Sequence, residues 1–344
     1  MAQEQRVLDN QQDQVLATAQ EKTEIKKRKL LNKSLVLNLL PLVSLILLAI
    51  IFTIGNPNFL SIGNIFNILR QSSLLLIVCS GITFIILMGS IDLSFGSIVT
   101  LSGVITALTI VTLDMGTGTG LIAGVLIGGV CGLINGIIFA YLRVPSFLAT
   151  LGTMFAIDGI SLMLMNGSPI PINNNAFMEL TRGTLIGKLP NIAIWALVVY
   201  GIMSFVGFKT RFGRYMYAIG GGELVAKMAG VAVNKFKVYG FIVSGLLAGL
   251  AGTLMASRIG SATPRMGDGL LLDAIAAVVI GGTALTGGVG GPHRALLGVL
   301  LIAVLGNGMD ILSVDPYLQI VIKGIVVVLA VAIGLDRKKI SLVK

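Results

Sequence analysis

The chain has 344 residues, 55% hydrophobic and only 12% charged, with a mean hydropathy of +0.95. A soluble domain carries about twice that share of charge, so that class is excluded, and no series of short alternating strands points to an outer-membrane barrel. The formal charge of +10 does not imply nucleic acid, because the basic residues sit in blocks between apolar runs.

The pattern predicts an all-α, polytopic helical membrane protein. Residues 1–34 are polar and glutamine-rich, end in "KTEIKKRK", and read as a disordered or loosely helical cytoplasmic arm. Ten apolar runs follow, at residues 35–54, 72–88, 97–113, 120–142, 147–165, 192–208, 238–255, 270–282, 295–312 and 317–335. Most reach the roughly 17–25 residues that cross a hydrocarbon core about 30 Å thick. The first has no small-x-small cleavage site behind it and reads as a retained helix. Residues 35–335 form the membrane domain and 336–344 a cytoplasmic tail.

Lysine and arginine set the orientation. With the N-terminus in the cytoplasm, nineteen of the 25 basic residues lie inside: seven before the first run, Arg143, six in the loop 209–237, Arg294, and four in the tail. Arg70, Arg182, Lys188, Arg258 and Arg265 lie outside, and Lys323 lies within a run. The expectation is N-in, C-in, with lipid headgroups as neighbours of the basic blocks.

In the fourth run, "GVLIGGVCGLING" places Gly124, Gly128, Gly132 and Gly136 at successive i+4 positions, on one helix face where another backbone can approach closely. That face serves either packing within the chain or pairing with a second copy. Cys79 and Cys131 lie in apolar runs and read as small packing residues.

Asp92, in "MGSIDLSFGSIV", is the only charge between Ser72 and Leu113. A carboxylate deep in a bilayer costs on the order of 3 kcal/mol. Either Asp92 or Ser94 caps the helix that follows, or the helix is broken there and lines a polar cavity. "GGTALTGGVGG" repeats the spacing: Gly89, Leu93, Ser94 and Gly96 match Gly281, Leu285, Thr286 and Gly288. The run before it has only about 13 apolar residues, about 20 Å of helix, too short to cross. Short, glycine-interrupted segments in two halves of a membrane protein mark a pathway, which makes Asp92, Ser94 and Thr286 its candidate polar groups.

Enzyme chemistry finds little support. No phosphate-binding G-x-x-x-x-G-K-[ST] loop and no G-x-S-x-G elbow occur, and the single histidine, His293, cannot build a zinc cluster. Charges within runs are few, and Asp158, Asp310 and Lys323 stand out among them. "SVDP" makes a short turn between the last two runs, so Asp310 or Asp315 is expected to pair with Lys323. Energy for any movement is then expected from outside the chain. In the loop 209–237, Glu223 to Ala229 is helix-capable, bounded by three glycines before it and Gly230 after it. Leu224, Val225 and Met228 give it an apolar face, and Glu223 and Lys227 an i,i+4 pair. Such a piece suits a groove on a partner better than lipid.

The stretches "GSIDLSFGSIVTLSG", "GLINGIIFAYLRVPSFLATLGTM", "TRFGRYMYAIGG", "RIGSAT", "LDAIAAVVIGGTALTGGVG" and "DPYLQIVIKG" resemble the membrane permease subunits of ATP-binding-cassette importers for ribose- and galactose-type monosaccharides. The resemblance covers residues 35–335. It implies two permease subunits, alike or paired with a relative, forming the path in the bacterial cytoplasmic (inner) membrane. It also implies two cytoplasmic ATPase subunits that bind ATP and Mg, and an extracytoplasmic sugar-binding protein. No cofactor is expected in this chain. The family's ATPase-coupling segment matches residues 220–231 here, so Gly220, Glu223, Leu224, Val225, Lys227, Met228 and Gly230 take that role. Relatives commonly carry asparagine at 222 and alanines at 224 and 225; Gly222, Leu224 and Val225 here imply a bulkier contact. Arg294 stands where a glycine is frequent. The same importer class also carries autoinducer-2 and nucleosides, and an ion-coupled secondary carrier is the rival of a different class.

Overall fold

The computed structural model describes residues 40–186 and 189–334. By its internal contacts the chain divides into Met1–Ser44 and Leu45–Lys344; of the first unit only residues 40–44 are described, as helix, and the architecture below is that of the second. The arm at 1–34, residues 35–39 of the first run, and the tail from 335 lie outside the described residues.

Helix α1 (Leu40–Gly55) leads through a 3-10 turn at Pro57–Leu60 to α2 (Ile62–Leu87) and α3 (Phe95–Ala107), which a π turn at Leu108–Thr112 prolongs. Then come α4 (Thr117–Ala140), α5 (Ser146–Leu164), β1 (Ile170–Pro171), α6 (Asn175–Arg182), β2 (Thr184–Ile186), β3 (Leu189–Pro190) and α7 (Asn191–Lys209). Next are α8 (Arg211–Gly221), α9 (Glu223–Met228), α10 (Val233–Ile259), β4 (Ser261–Ala262), α11 (Asp268–Ile280), α12 (Pro292–Ile311) and α13 (Pro316–Gly334). Seven of these, α2, α3 with its π turn, α4, α5, α7, α10 and α12, are long and apolar enough to cross a membrane; α1 and α13 are shorter apolar helices. Within the described residues, each expected run falls on a helix. The protein is all-α and polytopic, and among the described residues strands form only two two-stranded pairings, β1 with β4 and β2 with β3.

Two differences from expectation have local causes. Helix α2 starts at Ile62, well before its apolar run, because the Ser61 hydroxyl accepts from the Asn64 N–H (3.3 Å) and caps a polar first turn. The loop 209–237 is largely helical: Thr210 Oγ1 accepts from the Gly213 N–H (3.3 Å) and opens α8 directly behind α7.

Helix α10 packs against α4, α3 and α2, and α2 packs in turn against α12, α7 and α11. From Leu74 to Leu87, α2 is buried on all sides and apolar but for Ser80 and Thr83, whose hydroxyls donate back to the Leu76 and Cys79 carbonyls, as suits a helix enclosed by others. The glycine row of α4 is used within the chain. Gly128 lies against Gly245 and Gly249 of α10, Gly132 against the Phe241 carbonyl and Gly136 against Val238. Gly124 sits over the hydroxyls of Thr106 and Thr253, themselves 2.9 Å apart. Within the chain, that face is packed against α10 and α3.

Helix α11 has 13 residues, about 20 Å at 1.5 Å each, and does not span. The Gly267 N–H donates to Thr100 Oγ1 (3.1 Å), and Gly267 lies against Gly96, so α11 starts beside the first turns of α3. Since β4 pairs with β1 near α6, residues 263–267 run back into the bundle as non-helical chain, with the Thr100 hydroxyl as one polar partner.

Candidate functional site

One end of the bundle gathers α8, α9, the turn between α2 and α3, and the loop between α11 and α12. The Gly288 N–H donates to the Leu87 carbonyl at the end of α2 (2.8 Å). Gly220, at the end of α8, lies against that same carbonyl and against Gly288, where a Cβ would strike main chain. Gly287 takes a left-handed conformation (φ +81°) between Gly89 and Gly220, and Gly89 (φ +77°) faces the Thr286 carbonyl. Tyr217 of α8 donates its hydroxyl to the Gly290 carbonyl (2.6 Å). The two segments that share a spacing in the sequence therefore abut, glycine backbone on glycine backbone.

Helix α9 stands on this junction. Ala226 is buried with Met216, Ile219, Val233 and Phe241, while Leu224, Val225 and Met228 are 70%, 71% and 81% exposed. Gly230 (φ +83°) ends the helix in the left-handed region, and the Val231 N–H then reaches back to the Ala226 carbonyl (3.0 Å). The expected Glu223–Lys227 pair is not formed. Both oxygens of Glu223 accept from Lys237 Nζ at 2.8 Å, and Lys227 stays exposed. The reason is burial: Lys237 lies inside the first turns of α10 under the ring of Phe139 (4.4 Å) and needs a counter-charge that a solvated lysine does not.

Asp92 and Ser94 are buried rather than facing open space. Asp92 Oδ1 accepts from the Ser94 N–H (3.0 Å) and hydroxyl (2.7 Å), a tight turn at the entrance of α3, and neither side chain caps an N–H of the helix itself. Ser94 Oγ accepts from Asn135 Nδ2 of α4 (2.7 Å), whose Oδ1 accepts from Thr153 of α5 (2.6 Å). The turn before α3 is thus strapped to α4 and α5, helped by Ser146 and Thr150, whose hydroxyls accept from the N–H groups of Ile91 and Leu93 (3.2 and 3.0 Å). Burial pushes the Asp92 carboxyl up to about 6, against the pull of its two bonds from Ser94, and its Oδ2 has no partner among the described residues. Thr286 is exposed, and its side chain does not join this network.

The ion pair expected between Asp310 and Lys323 is also replaced. Lys323 donates to Asp273 of α11 (2.9 Å), and Asp310 accepts from Gln319 Nε2 (3.0 Å). Helix α13 packs its inner side on α11, so the lysine two turns along meets α11 and not the turn it follows. Sequence reasoning missed Lys237, Asp273, Asn135 and Tyr217. Asn135, a carboxamide inside an apolar helix, and Asp273, a carboxylate inside the short run 270–282, each carried a signal of their own.

A family profile described as "Branched-chain amino acid transport system / permease component" matches residues 64–331. The ribose import permease protein RbsC of Haemophilus influenzae is 40% identical over 294 residues, 84% of this chain and 90% of the relative. RbsC of Bacillus subtilis is 41% identical over 301 residues, 87% and 92% of the two chains. The galactose/methyl galactoside import permease protein MglC of H. influenzae is 38% identical over 313 residues, 86% and 93%.

Proposed function

The chain belongs to the monosaccharide permease family of ATP-binding-cassette importers, and we propose that it moves a ribose- or galactose-like sugar into the cytoplasm by alternating access. It is a multi-pass protein of the bacterial inner membrane and a permease for sugar import. In this reading it works with a cytoplasmic ATPase that binds ATP and Mg, an extracytoplasmic sugar-binding protein, and a second permease copy, alike or related. The chain itself performs no bond chemistry.

The observation that carries the reading is the posture of α9. Leu224, Val225 and Met228 project from the bundle, while Ala226 and the Glu223–Lys237 pair hold the helix to α8 and α10. Three apolar side chains kept at the tip of an anchored helix fit a groove on a partner. A push on α9 reaches Gly220, and from there the end of α2 and the α11–α12 loop. Coupling then needs no long path: the partner's movement is handed to the turns that flank α3 and α12.

The test is the double substitution Leu224→Asp with Met228→Asp in the intact transporter. Sugar uptake is expected to fall to background while membrane insertion and abundance stay at the wild-type level. Uptake at the wild-type rate overturns the coupling assignment. Uptake that survives ATP depletion and collapses with the proton or sodium gradient overturns the energy source.

A further inference from the structure

At the end of the bundle remote from α9, α2, α10 and α12 border an open pocket of about 280 Å³, with Asn67, Arg258 and Asp310 exposed at its rim. Asn67 and Arg70 of α2, Arg258 of α10 and Asp310 of α12 wall it. Its floor is a buried pair: Asn64 Nδ2 donates to Asn307 Oδ1 (2.7 Å) and Asn307 Nδ2 to Asn64 Oδ1 (2.9 Å). Asn64 donates its second N–H to the Phe59 carbonyl (2.8 Å), which fixes the orientation of both carboxamides and leaves one N–H of Asn307 unspent. Arg70 uses one N–H on Asn67 Oδ1 (3.1 Å), and Arg258 makes no side-chain hydrogen bond among the described residues. Asp310 keeps one carboxylate oxygen after accepting from Gln319.

Guanidinium forks, a carboxylate and fixed carboxamides in one small pocket supply donors and acceptors side by side. Vicinal hydroxyl groups, each both donor and acceptor, satisfy such a set. An anion would meet the donors but would also meet Asp310. The volume lies at the lower edge of the range of about 300–1,000 Å³ for small-molecule sites, which suits one sugar ring better than a longer saccharide. The three helices of this pocket are also those that reach the coupling end: α10 through Lys237 and Glu223, α2 through Leu87 and Gly288, α12 through Arg294 against Gly281.

We propose that this pocket is a saccharide subsite at the outer mouth of the permease, with Arg70, Arg258 and Asp310 reading the hydroxyl groups of a single sugar ring. The inference rests on the sugar-import reading above and adds a site to it. The test uses the permease–ATPase complex in nanodiscs without binding protein, and D-ribose and D-galactose as probes followed by saturation-transfer NMR. Saturable binding of one of them is expected, weakened at least tenfold by Arg258→Gln and by Asp310→Asn, with melting temperatures of both variants at the wild-type value. The proposal is overturned by binding that neither substitution changes, by absence of binding in a complex whose full transporter imports that sugar, or by displacement of the sugar by inorganic phosphate, which would make this an anion site. It is equally overturned where the variants keep sugar binding and lose only affinity for the binding protein. A full wild-type transporter that imports neither sugar sinks the sugar-import reading itself, a result separable from all of these.

Discussion

Lys237 and Glu223 form the bond on which the posture of α9 depends. The Lys237 side chain is 9% exposed and that of Glu223 54%, so the pair is half in water. Breaking a buried pair costs about 3–5 kcal/mol and an exposed one about 0.2–1, which places Glu223→Gln near 1–2 kcal/mol, roughly. The greater part of that cost is the ammonium left behind under Phe139, not the lost attraction. Removing the charge as well, in Glu223→Gln with Lys237→Met, is therefore expected to restore most of the melting temperature in detergent while uptake stays impaired. The double variant separates two jobs of the pair, balancing a buried charge and orienting α9. A single variant as stable and as active as wild type would falsify both.

The α4–α10 interface depends on the absence of side chains. A Cβ on Gly132 would overlap the Phe241 carbonyl, and backbone does not yield as a rotamer does. On α5, by contrast, a Cβ on Gly152 has nothing within 4 Å. Gly132→Ala is expected to cost about 1–3 kcal/mol by overpacking, whereas Gly152→Ala is expected to be neutral or to gain up to about 1 kcal/mol of helix propensity. Thermal unfolding of the two variants in the same detergent decides, and equal melting temperatures would remove the close-approach account. The i+4 row made this face legible in the sequence, but not its partner, because periodicity describes one helix at a time. The shortness of α11 was legible for the same reason: it is a property of one run. The pairings of Glu223 and Lys323 were not, since the sequence displays the i,i+4 neighbour and hides a residue brought close by the fold. Lys237 is fourteen positions from Glu223 and Asp273 is fifty from Lys323. Helix α8 escaped notice because "TRFGRYMYAIGG" is short, glycine-rich and polar on one side, and its helix is held by the Thr210 cap and by burial of Met216 and Ile219.

The bundle has two dissimilar ends. Helices α8 and α9 and the glycine junction occupy one, and α6, the β1–β4 pairing and the polar pocket the other. The basic residues divide unevenly: Lys209, Arg211, Arg214, Lys227, Lys235 and Lys237 lie at the α9 end, and Arg70, Arg182 and Arg258 at the pocket end. The positive-inside bias predicts that the richer end, with α9, faces the cytoplasm, as the proposed contact with an ATPase requires. That orientation can be read without any transport assay. Cys79 and Cys131 are both buried, so the native background toward a thiol reagent is low. Leu185 in β2 is 79% exposed, and Lys227 of α9 is exposed at the other end. In intact cells expressing the permease without its ATPase, a membrane-impermeant maleimide is expected to label Leu185→Cys after the outer barrier is opened, and to label Lys227→Cys only in inverted vesicles. The opposite pattern would put α9 outside, beyond the reach of any nucleotide, and the proposed importer mechanism would fail as a whole even with every helix correctly packed.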